Sequence, residues 1–216
     1  MVGEMLVDFD PSESGRLISR WLHLFDLQTF KRSTDVSSIA LREPELLFVS
    51  SGALGLCSTV AEQSQLIGIV PRGCCISFGG NAIADRRLTV RALKNSNIYV
   101  GRACQLQDGI SEAIYNQMLL SATTHLFNLF LNQAAAMKAR RLEDRIMMVL
   151  RNCARFQGQD LECPCVTLDW GISQVEFANL LGVARPYLNK AIRRLERSGH
   201  LKIDGETVHL RPDPKG

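Results

Sequence analysis

The chain has 216 residues, 46% apolar and 22% charged, with 16 Gly and only 7 Pro. That is enough chain and apolar surface for one large or two small folded domains, and it excludes a disordered or collagen-like polypeptide. The formal charge of +3 is too small, taken whole, to point to a partner.

No apolar run reaches the roughly 18 residues of a membrane helix, and Glu4 and Asp8 stand where a secretory signal would carry bases. A cytoplasmic protein without membrane attachment is expected. The seven cysteines (57, 74, 75, 104, 153, 163 and 165) form an odd set without two CxxC pairs. A disulfide scaffold or a four-thiolate zinc site is therefore not expected, nor any other metal or cofactor.

The charge is unevenly placed. Residues 1–138 hold 12 Lys and Arg against 12 Asp and Glu, whereas residues 139–216 hold 13 against 10. Within 185–202, Arg185, Lys190, Arg193, Arg194, Arg197 and Lys202 face only Glu196. Clustered bases of this kind are the footprint of a surface that releases counterions from nucleic acid, although a solvated helix face gives the same count.

Along the chain, a small helix is expected over Gly15 to Leu24. Short apolar runs then alternate with turn signals: Leu46 to Val49, Leu66 to Val70, Leu88 to Leu93 and Ile98 to Val100. Short strands at this spacing predict an antiparallel barrel or sandwich. Beyond Gly109 the turn signals vanish, and one long helix is expected to about Met137. Ile110, Ile114, Met118, Ala122, His125, Leu129 and Ala136 line one side of it at three- and four-residue steps, and Leu119, Leu126 and Phe130 another. Two apolar stripes need two partners. The first stripe (Ile110, Ile114, Met118, Ala122, His125, Leu129) is assigned to the same helix of a second subunit and the other to the barrel; the alternative is that both are buried within one chain. A second helix is expected over Leu142 to Arg155, then a loop through Cys163 and Cys165.

Ser173-Gln174-Val175-Glu176 is a capping box, in which a serine oxygen and a glutamate carboxylate satisfy each other's backbone N–H groups, so a helix begins at about Gln174. It breaks at Gly182, and a second helix carries Leu188, Ala191, Ile192 and Leu195. Small Ala178 and Gly182 let two short helices cross steeply, as in a helix-turn-helix. Leu201-Lys202-Ile203, Asp204-Gly205 and Thr207 to Leu210 then read as a hairpin, which makes the unit winged.

These features predict binding to double-stranded DNA, the second helix entering the major groove. Arg185 is placed to bond guanine; Pro186, Tyr187 and Asn189 lie in the same first turns. Lys190, Arg193 and Arg194 are assigned to phosphates, and Ser173, Gln174 and the hairpin's Lys202 are counted in the DNA-binding surface.

A small β-rich domain, a long helix, a connecting helix and a winged helix-turn-helix resemble the Crp/Fnr superfamily of transcription regulators over nearly the whole chain. The segment Ile172 to Glu196, with its Arg185-Pro186 pair, is similar to that family's recognition segment, and Leu201 to Leu210 to its wing. The resemblance implies an α+β fold: an antiparallel β-roll of the cyclic-nucleotide-binding kind over 1–108, a dimerisation helix over 109–138 and a winged DNA-binding domain over 139–216. It implies a homodimer on a two-fold-symmetric site, with RNA polymerase as a further partner if the protein activates. No surface for polymerase, and no small-molecule effector, is identified in the sequence.

Departures matter too. Pro186 stands where members reading the cyclic AMP receptor's operator carry glutamate, Ala184 replaces a capping serine, and Asp204 and Glu206 make the wing acidic. The stretch from Gly73 through Thr89 lacks the Gly-Glu and the Arg-Ser or Arg-Thr pairs that hold a cyclic nucleotide, so cyclic AMP binding is not expected; Arg86 and Arg87 read as surface arginines. No cysteine precedes Cys57, which removes the iron–sulfur ligands of Fnr-type members. No enzyme constellation is present: no P-loop, no GxGxxG, no HExxH, and four scattered histidines. The competing readings are a dimeric interaction protein whose winged unit binds another protein, and a regulator sensing redox state through a thiol.

Overall fold

The computed structural model describes residues 17–37, 45–60, 63–78, 88–163 and 165–211. A 3-10 turn at Leu22–Leu24 closes the segment read as a small helix, whose beginning lies outside the described residues. Seven strands follow: β1 (Asp26–Phe30), β2 (Glu45–Ser51), β3 (Ala53–Val60), β4 (Gln63–Pro71), β5 (Cys75–Phe78), β6 (Leu88–Ala92) and β7 (Ser96–Arg102). They form two antiparallel sheets, ordered β1-β7-β2-β5 and β4-β3-β6, which face each other as a roll.

The roll's interior is built by alternation, because successive residues of a strand point to opposite faces. Leu47 and Val49 of β2, Leu54 and Leu56 of β3, Val90 of β6 and Ile98 and Val100 of β7 meet in one buried cluster. The other faces of β2 and β3 are covered as well. Leu46 packs with Leu106, Met118 and Ala122, while Ala53 and Cys57 join a cluster that includes the C-terminal unit. This double burial is why β3 is apolar at both odd and even positions. Gly55 lies on the second face, where a Cβ would come within 2.7 Å of both Leu66 and Leu93.

The helical segments differ in detail from the sequence reading. A short helix α1 (Ala103–Gly109) precedes the long α2 (Glu112–Lys138), and the chain is extended between them at Ile110 and Ser111. The break arises because the Ser111 hydroxyl accepts the N–H of Ile114 and caps α2 as a fresh start. Helix α3 (Leu142–Phe156) buries Ile146, Val149, Leu150 and Cys153.

The C-terminal unit comprises β8 (Val166–Asp169), α4 (Gln174–Leu180), α5 (Arg185–Arg197), β9 (Leu201–Asp204) and β10 (Thr207–Leu210). Its sheet runs β8-β10-β9. Thr207 pairs with Asp204, so the hairpin turn is Gly205-Glu206, one residue later than Asp204-Gly205. The architecture is the expected α+β one: an antiparallel roll, a long helix and a winged helix-turn-helix. No described helix is long and apolar enough to cross a membrane.

Candidate nucleic-acid interface

The capping box is formed in full. The Ser173 hydroxyl accepts the Glu176 N–H at 3.2 Å, and a carboxylate oxygen of Glu176 accepts the Ser173 N–H at 3.2 Å and its hydroxyl at 2.8 Å. Leu181 ends α4. Gly182 then takes φ of +65°, a left-handed conformation that costs a residue without Cβ little, and the Val183 N–H returns to the Ala178 carbonyl at 3.0 Å. Phe177 and Ala178 of α4 pack with Leu188, Ala191, Ile192 and Leu195 of α5, and Trp170 meets Phe177 edge-on at 4.8 Å between ring centroids.

With those four residues of α5 turned inward, the 3.6-residue period carries Pro186, Lys190, Arg193 and Arg197 along the opposite, exposed face. Arg185 and Tyr187 are exposed at its N-terminal end, and Ala184 gives that end no side-chain cap. Asn189 is half-buried, its Oδ1 enclosed without a hydrogen-bond partner. The only acid in this basic window is turned aside: Glu196 accepts the Ile203 N–H at 3.4 Å, tying α5 to the wing.

Arg194 lies beside the outward line and donates to Glu143 of α3 at 3.0 Å, while its side chain stays 69% exposed. The Glu143 carboxyl is drawn below its ordinary pKa by its own backbone N–H and then by Arg194. Arg197, counted in the charge window but left out of the expected site, falls on the stripe; its step of four from Arg193 was the available signal. Ser173 is half-buried at the cap, whereas Gln174 and the wing's Lys202 are exposed.

The long helix turns the first expected stripe inward. Met118, Ala122, His125 and Leu129 are buried within one chain, and Ile110 and Ile114 pack into the same cluster as Met118. Five of these six are buried within the protomer, and Ile114 is half-buried. Met118 and Ala122 lie against Leu46 and Cys75 of the roll, and Leu129 reaches its interior cluster. His125 places Nδ1 3.2 Å from the Cys75 carbonyl and its ring edge-on to Phe156, and burial pushes its pKa down to about 4 against the opposing pull of that bond. The second stripe, Leu119, Leu126 and Phe130, also packs inward in part. What remains outside is a third line, in which Leu120 is 70%, Phe127 61% and Leu131 51% exposed. With Ala113, Gln117, Thr124 and Ala134 these residues fall at alternating steps of four and three, the spacing of a coiled-coil seam.

The thiols divide by burial. Cys57, Cys74, Cys75 and Cys153 are buried, and desolvation raises their pKa values, that of Cys153 to about 12. Cys104, Cys163 and Cys165 are exposed; hydrogen bonding to Asp160 raises Cys163. No thiol with a resolved shift is lowered, as a reactive thiolate would require. Among the described residues no group of three or more His, Cys, Asp and Glu could hold a metal ion. Arg86 and Arg87 lie outside the described residues.

No family model matches the sequence, and no curated protein does. Solved structures match along nearly the whole chain. A variant of CooA from Carboxydothermus hydrogenoformans is 16% identical with a TM-score of 0.63, covering 96% of this chain and 94% of that one. FixK2 from Bradyrhizobium japonicum is 13% identical with a TM-score of 0.65, covering 87% and 92%. A transcriptional regulator of the CRP/FNR family from Thermus thermophilus is 17% identical with a TM-score of 0.56, covering 86% and 93%. At these identities the likeness is one of architecture: the chain has the fold of the CRP/FNR transcription regulators.

Proposed function

We propose that this chain, built on the CRP/FNR fold, is a sequence-specific DNA-binding transcription regulator that acts as a homodimer in the cytoplasm. The observation that carries the reading is the outward line Pro186, Lys190, Arg193 and Arg197 on a helix whose other side is fixed by a capped helix-turn-helix. In the major groove, Arg185 would read guanine O6 and N7, with Tyr187 and Asn189 beside it. Lys190, Arg193, Arg197 and Lys202 would hold phosphates, as would Ser173 and Gln174. On this reading 1–108 is the sensor-like unit, 109–138 the dimerisation helix and 139–216 the DNA-binding unit. Two copies would pair along Leu120, Phe127 and Leu131, exposed apolar side chains that a second α2 covers.

Regulation by cyclic AMP forms no part of this reading, because the sequence lacks the Gly-Glu and Arg-Ser or Arg-Thr pairs in the relevant stretch. Burial of four of the seven thiols weakens the redox alternative.

The test is selection of duplexes from a random pool, followed by titration at several salt concentrations. Expected are an enriched two-fold-symmetric site and a steep fall of affinity with salt. Arg185→Ala should lose about 1–3 kcal/mol on the selected site and little on random DNA. Equal binding of wild type and variant to every duplex would overturn the assignment and favour a protein-binding winged unit.

A further inference from the structure

The reading unit is docked on the roll, and its helix cap is part of the joint. Ala53, Cys57, Leu66, Ile69 and Leu93 of the roll share one buried cluster with Trp170, Ile172, Phe177 and Leu181. Around that apolar contact, cations of the roll meet acids of the winged unit. Arg32, just after β1, lies 3.1 Å from Glu176, and Arg91 of β6 lies 3.8 Å from the other oxygen of the same carboxylate. Lys94, in the β6–β7 turn, lies 2.6 Å from Asp169 and 3.7 Å from Glu206 of the wing turn. The Arg32 N–H is itself tied to Asn95 at 3.0 Å, which fixes it to that turn.

Glu176 is the central group. Its side chain is only 12% exposed and serves two partners at once, the cap of α4 and the two guanidinium groups. The docked arrangement covers the inner side of α4 and leaves Gln174, Arg185, Lys190, Arg193 and Arg197 exposed. We propose that Glu176 is a positioning residue: through Arg32 and Arg91 it holds the winged unit against the roll with its reading face open, so that DNA meets a pre-oriented head. This rests on the DNA-binding reading and adds to it a coupling between the roll and the reading unit.

Glu176→Gln isolates the effect. Glutamine also serves at this position of a capping box, so α4 keeps its start while the charge that attracts the arginines is lost. Removing a negative charge beside DNA should by itself tighten binding. Loosening the head should weaken it, by about threefold to tenfold for ion pairs of this exposure. The proposal expects the second outcome in the full-length protein on the selected duplex, with an unchanged salt slope because no phosphate contact is lost. Arg32→Ala/Arg91→Ala should weaken binding similarly, and the triple variant should be no worse than the double. Tighter binding by Glu176→Gln, or a shallower salt slope in the arginine variant, would overturn the proposal and make the two arginines direct phosphate contacts.

Hydrogen exchange without DNA provides a readout independent of function. Amides of α4 and β4 should exchange faster in both variants while the thermal transition stays cooperative. Unchanged exchange would overturn the coupling even if DNA binding is confirmed. Conversely, a wild type that prefers no duplex would refute the regulator reading and leave the exchange result standing.

Discussion

The long helix α2 and the second helix of the helix-turn-helix, α5, dispose their apolar residues in opposite ways. Helix α5 is apolar on one side only, because one side has a partner: Leu188, Ala191, Ile192 and Leu195 are buried and the rest of its surface, Pro186 aside, is charged or polar. Helix α2 is apolar almost all round, with an inner line on the roll, flanks half-covered, and an outer line of Leu120, Phe127 and Leu131 that nothing among the described residues covers. A one-sided helix states its orientation in its sequence. A helix with two partners states only that it has two.

The sharpest way to test that contrast is to cut the two faces of α2 separately. Met118 is fully buried, so Met118→Ala should lower the unfolding free energy by about 2–5 kcal/mol, read from the denaturant midpoint and present at every protein concentration. Phe127→Glu should leave the protomer's secondary structure intact and shift sedimentation from dimer to monomer, with loss of binding to the two-fold site. If Phe127→Glu unfolds the chain while Met118→Ala only dissociates it, the faces have been assigned the wrong way round.

A gentler probe of the inner face is acid. His125 is buried with its folded pKa near 4, below the ordinary value of 6.5, so the unfolded chain takes up a proton first as the pH falls. Its contribution to stability is complete above about pH 6.5 and is lost progressively toward pH 4. Chemical denaturation across that window should show the decline, and a His125→Gln variant should show a shallower one.

The smallest effect belongs to α5. Ala184 leaves its N-terminus without a side-chain cap, so Ala184→Ser should raise stability by about 0.5–1 kcal/mol in thermal unfolding without altering the inward face. No gain would mean that the first turn of α5 is already satisfied by other means.

The same contrasts explain what was legible in the sequence. The helix-turn-helix could be read residue by residue because its signals are local: a serine and a glutamate three apart, a glycine at the corner, bases at helical steps. The alternation of short apolar runs with turn signals identified the roll, but β3 was missed because Gly52, Gly55 and Ser58 interrupt its apolar residues and read as turn signals. The extended residues between α1 and α2 hid behind a capping serine in an otherwise helical composition. Arg194 and Arg197 could not be separated by charge, since only the fold brings Glu143 beside one of them.

Strand β3 is a wall shared by two compartments. Its even-numbered residues, Leu54 and Leu56, belong to the interior of the roll, and its odd-numbered ones, Ala53 and Cys57, to the contact with the winged unit. The two compartments are therefore separated by the thickness of one pleated backbone, without an intervening layer.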